Sequence, residues 1–86
     1  MKVYTCKIHN GILNEWIDKG VFSTCAKAME AGSLYIIAEV GDVTLLDWNH
    51  EKDEDHNTFV CTDWYQSKSG RIFTRVVTES ELDQTL

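Results

Sequence analysis

Short runs in which apolar and polar residues alternate, broken by glycine and asparagine, dominate the chain. KVYTCKIH (residues 2–9) and ILNEWI (12–17) both read as strands. Between them lies Asn10-Gly11, a pair suited to the positive φ angles of a two-residue type I′ turn, so a first hairpin is predicted. In GVFSTCAKAMEAG (20–32), Ser23 or Thr24 is placed to cap a short helix running through Ala31, and Gly32 to end it. Cys25, Ala26, Ala28 and Met29 form a small-residue stripe that permits close approach to a sheet. SLYIIAEV (33–40) and VTLLDW (43–48) then predict two strands about Gly41-Asp42, with Gly41 opening a type II′ bend. FVCTDWYQ (59–66) and RIFTRVV (71–77) predict a third hairpin across SKSG (67–70). The expected order is β-β-α-β-β-β-β: an α+β domain in which an antiparallel sheet of hairpins carries one helix on one face.

Alternation within the runs assigns faces. Leu34, Ile36, Ala38 and Val40 are wholly apolar and are expected to face the helix. Arg71, Phe73 and Arg75 share the other kind of face, two charges about an aromatic, which suits solvent or a partner. A single domain over residues 1–77 follows, with a polar tail at 78–86. Thr78 and Glu81 could form a capping box for a last helical turn in that tail, which is polar enough to fray.

Charge changes the picture more than overall composition does. Of the 86 residues, those from Asp42 to Asp63 hold seven acids (Asp42, Asp47, Glu51, Asp53, Glu54, Asp55, Asp63) against Lys52. That window accounts for the whole net charge of −6, because acids and bases cancel elsewhere. Such a surface repels a phosphate backbone, so direct nucleic-acid binding through it is disfavoured. Lys68, Arg71 and Arg75 are too few to reverse this and read as cross-strand ion-pair partners.

The longest apolar run falls far short of the roughly 20 residues a membrane helix needs. The opening MKVYTCKIHN lacks the apolar stretch of a signal peptide. Cys6, Cys25 and Cys61 cannot all pair within one chain and lack zinc-ribbon spacing, so free thiols in a reducing cytoplasm are expected. No nucleophile elbow, phosphate loop or dinucleotide fingerprint is present, and adjacent hydrated acids stay near their ordinary pKa. The expectation is therefore neither an enzyme nor a cofactor protein.

WNHEKDEDHNT (48–58) supplies the candidate chemistry. Asp53, Asp55 and Asn57 alternate as calcium-loop ligands do, but Thr58 stands where the sharp turn needs glycine and Trp64 where a bidentate glutamate belongs. His50, His56 and Cys61 have zinc-ligand chemistry without finger spacing and form the alternative reading, a small metal- or ligand-binding domain. Cys6 and His9, three apart on one strand, would point to opposite faces. Three indoles cannot all be fully buried in so small a core, so either two of Trp16, Trp48 and Trp64 serve the core, or Trp48 or Trp64, flanked by Asp47 and Asp63, is an anchor for a contact.

Gly20, Val21, Phe22, Ser23, Thr24, Lys27, Ala28 and Ala31, after the strand pair that opens with MKVY, resemble a recurrent helix entry of small phage and bacterial domains. The resemblance covers the first third of the chain. It implies a class of small acidic phage proteins, many of which inhibit host defence or host enzymes, anti-CRISPR proteins among them. The leading expectation is thus a non-catalytic inhibitor, monomeric or homodimeric, acting in the cytoplasm of the host cell. Its acidic face would mimic nucleic acid by occupying the basic surface of a host protein through Asp47, Trp48, Glu51, Asp53, Glu54, Asp55, Asp63 and Trp64.

Overall fold

The computed structural model describes residues 2–53 and 58–81. Along these the elements are β1 (Lys2–Asn10), β2 (Glu15–Phe22), α1 (Cys25–Val40), β3 (Val43–Asp53), β4 (Thr58–Ser67) and β5 (Ile72–Glu81). All five strands join one antiparallel sheet in the order β2-β1-β5-β4-β3, with α1 packed on one face. The α+β class expected from the hairpins and single helix is the class observed.

The strand expected over residues 33–40 is instead the second half of α1. Its apolar residues satisfy both periods at once: 34, 36, 38 and 40 alternate as in a strand, while Ala28, Gly32 and Ile36 recur every fourth residue as in a helix and are the ones buried. Thr24 caps the helix as expected, its hydroxyl accepting the Lys27 N–H at 3.2 Å. The end comes at Gly41, whose N–H donates to the Ile37 carbonyl at 2.8 Å and whose φ of 74° turns the chain out of the helix. Gly41 is thus a helix terminator rather than part of a hairpin bend, and Gly32 lies mid-helix.

The first hairpin forms, but its second strand is Glu15–Phe22 instead of 12–17, and Asn10-Gly11 is not a two-residue turn. Asn10 ends β1 opposite Glu15, and its buried side chain accepts the N–H groups of Ile12 (2.8 Å) and Leu13 (3.2 Å). The positive φ, 53°, falls on Asn14. Gly11 is required for space instead, since a Cβ there would overlap the Ile72 carbonyl oxygen.

Two further expectations are corrected at β5 and β3. β5 runs through Glu81 and pairs Thr78 with Thr5 and Ser80 with Val3, so the start of the expected tail, with its capping box, is central strand. Residues 82–86 lie outside the described residues. Residues 49–53, expected to lie in a connection between the strands at 43–48 and 59–66, are strand as well, because β3 continues to Asp53 and pairs residue by residue with β4.

The core lies between sheet and helix. Cys6 and Ile8 of β1, Cys61 of β4, and Phe73 and Val77 of β5 meet Ala28 and Ile36 of α1. Burying each of the larger of these side chains contributes about 1.5–3 kcal/mol. The opposite face of the sheet carries no helix among the described residues.

Candidate functional site

Phe73 and Arg75, expected on an exposed face, point under the helix. The reason is a partner across the sheet: Asp63 on β4 stands opposite Arg75 and is itself buried. Arg75 Nη2 donates to Asp63 Oδ2 at 2.7 Å, and Nη1 donates to the Met29 carbonyl at 3.0 Å and Ser33 Oγ at 2.6 Å. The pair therefore clamps α1 to the sheet. The guanidinium also sits 5.3 Å from the centre of the Tyr65 ring, whose hydroxyl pKa is raised by burial. Asp63, a candidate partner-binding acid, is consequently a structural group and not part of a contact surface.

The other candidates divide among the two faces of the β3–β4 hairpin. Register places Trp48 beside Asp63 and His50 beside Cys61, on the helix side, but α1 packs mainly on β1, β2 and β5 and touches β3 only slightly. Trp48 is 61% exposed. Its ring centre is 5.2 Å from that of His50, which is 6.2 Å from Phe59, so three rings run along the uncovered flank. His50 Nε2 lies 3.2 Å from Asp63 Oδ1, tying this flank to the buried ion pair. Asp47 and Glu51 take the alternate positions, opposite Trp64 and Val60. Asp47 Oδ1 accepts the backbone N–H of Trp48 at 2.8 Å, and Glu51 Oε1 accepts from Asn49 Nδ2 at 3.0 Å. Both carboxylates are exposed. Asp53 ends the strand at the same end of the hairpin, and Trp64 is half-buried on the open face. Glu54, Asp55, His56 and Asn57 lie outside the described residues.

Among the described residues no three His, Cys, Asp or Glu side chains gather as metal ligands would. Cys6 is buried under the helix while His9 meets Trp16 on the other face, as their odd spacing requires. Burial and the neighbouring Cys25 thiol push the Cys61 thiol up to about 11, so it is protonated at neutral pH and a poor nucleophile. This sets a pH dependence. Between 9.0, the ordinary thiol value, and about 11 the unfolded chain releases the Cys61 proton while the folded chain keeps it, so stability falls as pH rises through that window. Urea unfolding at pH 8 to 11, compared with Cys61→Ala, should show a shallower fall in the variant; identical slopes would count against the assignment.

Sequence reasoning missed two features here. The Trp48–His50 pair was legible as an aromatic i, i+2 repeat, had residues 48–53 been taken as strand. Trp16, 58% exposed and edge-on to His9 at 5.2 Å, gave no local sign of which face it would take. No family, curated protein or solved structure matches the chain.

Proposed function

We propose that this chain is a non-catalytic binding protein, an inhibitor of the phage-encoded kind that its first third resembles, whose β3–β4 hairpin engages a basic protein surface. One observation carries the reading: edge strand β3 presents a tryptophan 61% exposed on its helix-side flank and two exposed carboxylates, Asp47 and Glu51, on the opposite face of the same strand. A large exposed ring that a partner can desolvate is the anchor of a binding hot spot. The acids on the other side of the strand steer a cationic partner towards this edge and fix its orientation. They take the places that phosphates would fill on a nucleic-acid-binding protein, which makes the mechanism steric and electrostatic.

Capture from a nuclease-treated bacterial lysate on the immobilised chain tests this. A basic protein should be retained at low salt and released by heparin, whose sulfates compete for the same cations. Trp48→Ala and Glu51→Lys should each reduce its retention by roughly tenfold or more, with circular dichroism unchanged. Retention indifferent to both substitutions would end the proposal.

A further inference from the structure

Pairing register lines the helix-free face of the sheet into rows. Trp16, His9, Thr74, Trp64 and Asp47 form one row from β2 to β3. Asp18, Lys7, Val76, Thr62 and Asn49 form the next, and Val21, Thr5, Thr78, Val60 and Glu51 the third. The middle of the face is thus β-branched, with one tryptophan on either side of β5. On the β1–β2 side Lys7, Trp16 and Val76 line a shallow depression of about 400 Å³. On the β4 side, in the corresponding position across β5, stands Trp64.

We propose that this face joins two copies of the chain about a twofold axis along β5, Trp64 of each copy entering the depression formed by Lys7, Trp16 and Val76 of the other. A twofold axis along β5 sets β1 and β2 of one copy over β4 and β3 of its partner, so Trp16 and His9 meet Trp64 and Asp47, and Lys7 approaches the acidic strand. The alternative axis, across the strands, would stack β3 on β3 and set Asp47 and Glu51 against their own copies. Charge therefore selects one orientation. Five strands at about 4.8 Å spacing and eight or more residues at about 3.3 Å rise give roughly 600 Å² per copy. Both copies together clear the roughly 1,000 Å² expected of a specific interface, at the usual separation of stacked sheets, about 10 Å. A nucleic acid is a poorer occupant, because Asp18, Asp47 and Glu51 outnumber Lys7 on the face.

Sedimentation equilibrium of the full chain, from micromolar to near-millimolar concentration, should give twice the 9.9 kDa chain mass. Tryptophan emission should shift to the blue as the dimer forms. Thr74→Lys sets two like charges together at the axis and should leave a monomer with an unchanged urea midpoint. Trp64→Ala should raise the dissociation constant by roughly 30-fold. Trp48→Ala, on the other face, should leave the mass unchanged, which separates this result from the fate of the inhibitor reading. A 9.9 kDa species at every concentration would overturn the proposal. So would a dimer indifferent to both Thr74→Lys and Trp64→Ala, which would point to the sheet edges, or co-purifying nucleic acid released by Trp16→Ala.

Discussion

Arg75→Met is expected to cost about 3–5 kcal/mol of folding stability, a large fraction of the roughly 4–13 kcal/mol available to a chain of this length. The loss comes less from the missing attraction than from what remains. Asp63, 4% exposed, would be left buried with, among the described residues, His50 Nε2 at 3.2 Å as its remaining side-chain partner. The Met29 carbonyl and Ser33 hydroxyl would lose their donor at the same time. Removing both charges, as in Arg75→Met with Asp63→Leu, should recover most of the stability, because no uncompensated ion is then buried. Recovery is favoured further by an imperfection of the native pair: Arg75 Nε is buried without a hydrogen-bond partner among the described residues. Urea midpoints for the two single variants and the double variant form the test. Equal midpoints for Arg75→Met and the parent chain would refute the clamp.

Gly32→Ala should destabilise the fold even though alanine is the better helix former by about 1 kcal/mol. A Cβ at Gly32 would lie 2.6 Å from Arg75 Cδ, 2.9 Å from its Cγ and 3.0 Å from Cys6 Sγ. The Arg75 stem cannot swing aside, since its backbone is in central β5 and its guanidinium is held by Asp63, Met29 and Ser33. The helix must lift from the sheet instead, for a net loss of about 1–3 kcal/mol, and more for Gly32→Val. The two sites should couple. In an Arg75→Met background, where the side chain is free to move, the loss on adding Gly32→Ala should shrink; a loss that stays the same would show that the glycine answers to something else.

Both experiments concern residues whose roles the local pattern misassigned. Gly32 looked like a helix stop because glycine commonly is one, yet at this position it allows close approach. Nothing within a few residues of it signals that an arginine 43 positions later will lie across the helix. Arg75 and Asp63 likewise looked exposed, since a charged residue in an alternating strand is ordinarily on the wet side. Only their pairing across β4 and β5 makes burial tolerable. The candidate site was read with similar unevenness. Trp48, Asp47 and Glu51 are all exposed on β3, but Trp48 lies on the helix side while Asp47, Glu51 and Trp64 share the open face, and Asp63 turns inward.

What the chain settled locally was its α+β class, the first strand, the strands of the third hairpin, the Thr24 start of the helix and the window that holds the net charge. These depend on turn chemistry, capping and alternation, which act over a few residues. Tertiary structure decided whether residues 33–40 would be strand or helix, which charges would be buried, and which tryptophans would face solvent. The physical reason is common to all three: an amphipathic segment specifies that one face must be covered, but the layer that covers it comes from residues distant in the chain.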